Sequence, residues 1–131
     1  MVSFVGDPTM TATRVLIVDD MPEVREDLRT VLTLFNEIEV VGEASNGLEA
    51  IRLTESLKPD AVLLDLEMPV LDGFEAARQI KAHDPSCHVV ALTVHGYEEA
   101  WQKAIQAGVD AFLVKGAPVQ SIVQTISEQK E

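Results

Sequence analysis

Four short apolar runs each end on a residue able to take part in phosphate chemistry, and this arrangement constrains the fold more than any other feature of the chain. Val15-Leu16-Ile17-Val18 runs into Asp19-Asp20, Ala61-Val62-Leu63-Leu64 into Asp65, Val89-Val90-Ala91-Leu92 into Thr93, and Phe112-Leu113-Val114 into Lys115. Unbroken apolar runs of this length suit strands buried on both faces, as in a parallel sheet covered by helices. Ligands of such sheets sit beyond the carboxyl ends of the strands. Three carboxylates, a hydroxyl and an ammonium would therefore gather at one sheet edge from distant parts of the chain. That set of groups suits a magnesium ion and a phosphoryl group.

Between the runs the apolar spacing changes to that of helices. Val24, Leu28, Val31, Leu32 and Phe35 fall on one helical face, with Pro22 near the start and Glu23, Glu26 and Asp27 in the first turns, where the helix dipole favours acids. A short strand over residues 39–44 follows. Asn46-Gly47 then marks a turn into a second helix patterned by Ala50, Ile51, Leu53 and Leu57 and stopped at Lys58-Pro59. Asp72-Gly73 opens a third helix with Phe74, Ala77 and Ile80 inward, closed near Asp84-Pro85, and the next strand begins about Cys87. Ala100, Trp101, Ala104 and Ile105 pattern a fourth helix ending at Gly108, and Val119, Ile122, Val123 and Ile126 a fifth after Pro118. Strict alternation of five strands with five helices predicts an α/β domain, a doubly wound (βα)5 parallel sheet with right-handed crossovers. The order 2-1-3-4-5 sets the four functional run-ends side by side, with the switch point between strands one and three and Asp20 facing Asp65. The chain divides into a flexible N-terminal segment, 1–13, and one domain, 14–131.

A chain of 131 residues supports one domain with a real core, and a composition of 47% hydrophobic and 24% charged residues is globular rather than disordered. No apolar stretch approaches the length needed to cross a bilayer, and the first residues lack the basic start and apolar core of a secretory signal. A soluble, cytoplasmic protein is expected, and the single cysteine, Cys87, suits a reducing compartment. With 22 acidic against 10 basic residues the formal charge is -12, which repels nucleic acid and anionic membranes. Neither is expected as a direct partner. Cys87 reads as a small buried residue, Trp101 as core or half-exposed, and His83, His88 and His95 show no metal-ligand pairing.

Over about residues 14–127 the chain resembles the receiver domains of two-component response regulators. The resemblance rests on Asp19-Asp20, Asp65, Met68-Pro69, Asp72-Gly73, Thr93 and Lys115, in that order. It implies a flavodoxin-like fold with the same strand order, and a signalling switch that catalyses only its own phosphorylation and autodephosphorylation. By this resemblance Asp65 accepts a phosphoryl group from a sensor histidine kinase or a phosphotransfer protein. Asp20, Asp65 and the backbone carbonyl of Glu67 coordinate Mg2+, with Asp19 helping through water. Thr93 and Lys115 bind the phosphoryl group, and movement of Thr93 vacates space for the aromatic Phe112. Glu67, Val94 and His95 occupy positions associated with the lifetime of the phosphorylated state. An output domain, transcriptional in kind, or an effector protein is the implied recipient, and a phosphorylation-dependent homodimer is a further implied partner. Formal charge agrees with this chemistry. Three carboxylates balance Mg2+ and Lys115, and converting Asp65 to a phosphoaspartate near charge -2 leaves about one unit uncompensated, which draws in donors such as Thr93.

The chain departs from the commonest receiver pattern where Gly116, not proline, follows Lys115, so a cis Lys-Pro bond cannot form. With Phe112, the stretch 112–117 looks more like receivers that precede a helix-turn-helix output domain of the LuxR or NarL kind. Val94 should restrict access to the site, whereas Glu67 either holds a water or repels an incoming anion. Two other functions compete. Asp65-Leu66-Glu67 faintly suggests an aspartate-nucleophile phosphatase, but such enzymes place the nucleophile on the first functional strand and add a cap for which this chain has no evident room. A flavin-binding module of the same fold is disfavoured by carboxylates where a flavin phosphate needs donors.

Overall fold

Apolar runs and amphipathic stretches resolve, in the computed structural model, into ten alternating elements; residues 12–68, 70–94, 96 and 98–128 are described. They are β1 (Thr13–Val18), α1 (Pro22–Leu32), β2 (Ile38–Ala44), α2 (Gly47–Leu57), β3 (Ala61–Asp65), α3 (Gly73–His83), β4 (His88–Thr93), α4 (Glu98–Gln106), β5 (Ala111–Val114) and α5 (Val119–Ser127). Every strand pairing is parallel and the order is β2-β1-β3-β4-β5. The expected architecture and strand order are both present.

Successive strand residues point to opposite faces, so each apolar run feeds two cores. Val15, Ile17, Leu63, Val90 and Leu92 pack on one side with Leu32 of α1 and Ile122, Val123 and Ile126 of α5. Leu16, Val18, Val62, Leu64 and Val89 pack on the other with Ala50 of α2 and Ala76, Ala77 and Ile80 of α3. The alanines on α2 and α3 let those helices sit close to the sheet. Each fully buried Val, Leu or Ile contributes about 1.5–3 kcal/mol. Burial is complete along β3, which leaves Asp65 rigidly placed at its carboxyl end.

Some boundaries differ from the periodicity. β1 already includes Thr13, whose N–H donates to the Glu37 carbonyl at 2.8 Å; of the segment expected to be flexible, 1–11 lie outside the described residues. β2 begins at Ile38 and α4 at Glu98, each slightly earlier than expected. Phe35 falls beyond α1, because the N–H groups of Leu34 and Phe35 donate to the Val31 and Leu32 carbonyls at 3.2 and 3.1 Å and tighten the chain into i→i+3 turns. Phe35 still packs beside Leu28 and Leu32, so its apolar spacing reported packing rather than helix. Among the described residues, no helix is long and apolar enough to cross a membrane.

Candidate functional site

At the carboxyl edge of the sheet the run-end residues come together. Lys115 Nζ lies 3.1 Å from Asp19 Oδ2 and 3.3 Å from Asp65 Oδ1, bridging the ends of β1 and β3 from the end of β5. Both carboxylates are almost wholly buried, while Asp20 is more open to solvent. The turn after each strand also donates to its carboxylate, Met21 N–H to Asp19 Oδ1 at 2.9 Å and Glu67 N–H to Asp65 Oδ1 at 3.1 Å. One carboxylate oxygen from each of Asp19, Asp20 and Asp65 lies within 4.8 Å of the other two. An octahedral Mg2+ with bonds of about 2.0–2.1 Å has opposite ligands about 4 Å apart, so this hard oxygen set could hold the ion through direct bonds from part of the set with the remainder reached through water. Gly73 completes the scaffold: a Cβ there would stand 2.6 Å from the Asp65 carbonyl oxygen and the Leu66 Cα, so a larger residue would push α3 off the loop.

Three carboxylates face one ammonium, and Asp65 is buried besides. Burial first, then the Asp19 carboxylate, push its pKa up to about 6, against the Glu67 N–H and Lys115, which pull it down. Burial alone would lower Lys115, but its hydrogen bond to Asp19 and the charges of both carboxylates outweigh that and leave it raised. Lys115 stays an ammonium, and Asp65 is a carboxylate held at unusual cost.

Thr93 is wholly buried at the end of β4, and its hydroxyl donates to Glu67 Oε2. The Lys115 N–H donates to the Thr93 carbonyl at 2.7 Å. Phe112 meets Trp101 of α4 edge to face, with ring centroids 5.2 Å apart at 72°. Trp101 is half-exposed and Val94 points largely to solvent. Gly116 has φ of 97°, a left-handed conformation that proline, locked near -65°, cannot adopt. Cys87 is buried, and burial pushes its thiol up to about 12. His95 and Pro69 lie outside the described residues.

Sequence reasoning missed Arg25. Its Nη1 donates to the Asp19 carbonyl at 2.7 Å and its Nε to Glu43 Oε1 at 3.2 Å, bracing the turn between β1 and α1 against β2. A signal was present: a cation near a helix N-terminus opposes the dipole and implies a local partner. The bond between Thr93 and Glu67 was also missed, although both residues were singled out.

The sequence model of the family described as Response regulator receiver domain matches residues 15–127. The chemotaxis protein CheY of Halobacterium salinarum is 38% identical over 117 residues, which cover 89% of this chain and 96% of that protein. The nitrate/nitrite response regulator protein NarL of Escherichia coli is 34% identical over 114 residues, which cover 87% of this chain and 53% of NarL. The chain thus spans nearly the whole of one relative and about half of the other. A crystal structure of a LuxR-family two-component response regulator from Aurantimonas sp. superposes with a TM-score of 0.82 at 34% identity, covering 86% of this chain and 81% of that one. On sequence, fold and the order of its site residues, the chain belongs to the response regulator receiver domain family of two-component signalling.

Proposed function

We propose that the chain is a phosphorylation-activated switch in which Asp65 is the phosphoacceptor. The observation that carries this reading is the bridge from Lys115 to Asp19 and Asp65, which holds a buried carboxylate beside a cation at the end of the central strand. A carboxylate with its pKa raised to about 6 is mostly ionised at neutral pH, yet less stabilised than an ordinary one, and so is a better nucleophile. Its oxygen attacks the phosphorus of a phosphohistidine. The new P–O bond replaces the P–N bond, and the electron pair leaves with the imidazole, which takes a proton.

Lys115 offsets charge on the phosphoryl oxygens, and the Thr93 hydroxyl donates to them once they are in place. Asp20, Asp65 and the Glu67 carbonyl would hold Mg2+, with Asp19 helping through water, and the ion would supply further charge neutralisation. Phe112 answers the movement of Thr93 and carries the change to α4. Glu67, Val94 and His95 set the lifetime of the modified state. The donor is a sensor histidine kinase or a phosphotransfer protein. A transcriptional output is supported by the likeness to NarL and to a LuxR-family regulator, and a phosphorylation-dependent homodimer belongs to the same reading. This reading also makes the protein cytoplasmic.

Intact-mass measurement tests the proposal. The protein incubated with acetyl phosphate and Mg2+ should gain one phosphoryl group, and Asp65→Asn should gain none. Equal incorporation in the variant would show that the acceptor is elsewhere.

A further inference from the structure

Glu67 touches two parts of the site at once. Its backbone N–H donates to Asp65 Oδ1 at 3.1 Å, and its carboxylate accepts the Thr93 hydroxyl. A threonine hydroxyl carries a single proton, so it serves one strong acceptor at a time. A charged acceptor holds that proton more firmly than a neutral one. Anything that draws the Thr93 proton toward Asp65 must therefore take it from Glu67.

We propose that the Glu67 carboxylate is a latch, a positioning residue that holds the Thr93 hydroxyl in the unmodified protein, and that phosphorylation exchanges this anionic acceptor for another. The inference rests on Asp65 as phosphoacceptor and adds how the switch is held off. Two effects drive the exchange in one direction. A phosphoaspartate near charge -2 repels the Glu67 carboxylate beside it. Glu67 is exposed, so its displaced carboxylate regains water, whereas the buried Thr93 hydroxyl must find a protein or phosphoryl acceptor. The release has a route outward. Thr93 pairs with Val114 across β4 and β5, and Phe112, two residues earlier on β5, lies on the same sheet face and meets Trp101.

Trp101 is the single tryptophan of the chain, so its emission reports the state of this route without a label. Wild type, Glu67→Gln and Glu67→Ala are measured unmodified and after acetyl phosphate with Mg2+, each sample checked by intact mass. Glu67→Ala should shift the unmodified emission toward that of phosphorylated wild type, with a rise of about tenfold in the ratio of switched to unswitched molecules, as expected for loss of one hydrogen bond to a charged acceptor at a partly exposed position. Glu67→Gln keeps an acceptor oxygen but loses the charge, and should fall between wild type and Glu67→Ala. In a Thr93→Val background, Glu67→Ala should have no further effect, since the latch then has nothing to hold. Unmoved emission in Glu67→Ala, or an equal shift in the Thr93→Val background, overturns the latch. If wild type takes up a phosphoryl group and Glu67→Ala is unmoved, the latch alone falls. Wild type that gains no phosphoryl mass brings down the proposed function and the latch together.

Discussion

At the carboxyl end of the strands Lys115 lies among Asp19, Asp20 and Asp65, and at the amino end Lys81 lies beside Asp110. Lys81 Nζ donates to the Pro85 and Cys87 carbonyls at 2.9 and 2.8 Å and to Asp110 Oδ2 at 2.8 Å, so all three of its protons are used. Asp110 also accepts the Val89 N–H at 2.8 Å. One cation meets one anion there, and the set ties α3, the start of β4 and the turn before β5 together. At the other end one ammonium serves three carboxylates, and burial first, then the Asp19 carboxylate, push Asp65 up to about 6. The same residue types make a brace where charge and donors balance, and a site where they do not. The excess negative charge is what a divalent cation can relieve.

The sharpest way to break this comparison is to titrate it. Asp65 ionises near 6 when folded against an ordinary 3.8, so between those values the folded protein retains a proton that the unfolded chain has released. Stability contributed below about pH 4 is therefore lost as pH rises through about 6, by about 3 kcal/mol in the metal-free protein. Urea unfolding in chelator should show this decline in wild type and not in Asp65→Asn. A wild-type profile parallel to that of Asp65→Asn would mean that burial and the Asp19 carboxylate do not raise Asp65.

Lysine removal should separate the two ends next. Lys81→Met should cost about 2 kcal/mol, because Asp110 and two carbonyls lose a partner, and Mg2+ should not restore it. Lys115→Met should also destabilise, by leaving Asp19 and Asp65 unopposed, but millimolar Mg2+ should recover part of the loss. Restoration of Lys81→Met by Mg2+ in thermal unfolding would erase the distinction. In wild type, Mg2+ at ten times its Kd should add about 1.4 kcal/mol and raise Tm by roughly 4 °C, with a smaller rise in Asp20→Asn. No change in Tm and no heat of binding by calorimetry would remove the metal from the proposal.

The smallest expected effect concerns access. Val94 is 55% exposed beside the buried Thr93, so it screens the site from its solvent edge rather than filling it. Val94→Ala should speed loss of the phosphoryl group by roughly twofold, since in-line attack needs an open path. Decay measured by intact mass after removal of the donor would count against screening if the variant matched wild type or lasted longer.

Much of the site was legible because strand ends are local features. Periodicity alone puts Asp19, Asp65, Thr93 and Lys115 just past or at the ends of apolar runs, and an alternating βα chain brings those ends to one edge. The strand order came partly from the resemblance to receiver domains and partly from the way it sets the chemically related ends side by side. Boundaries were less so, as Phe35 shows: an apolar residue at helical spacing reports a buried face whether or not the helix reaches it.

What the sequence by itself determined is therefore the class of fold, the strand ends and the chemical types that meet there, since period and composition act over a few neighbouring residues. Only the tertiary structure decided which acceptor each donor found. Arg25 on the Asp19 carbonyl, Thr93 on the Glu67 carboxylate, Lys81 on Asp110 and Phe112 against Trp101 join residues on different elements. Each of these contacts depends on register and helix placement to within an ångström or so, because hydrogen bonds and ring contacts weaken steeply with distance and angle. The period of an apolar run survives a shift of that size, and the choice between a balanced brace and an unbalanced site does not.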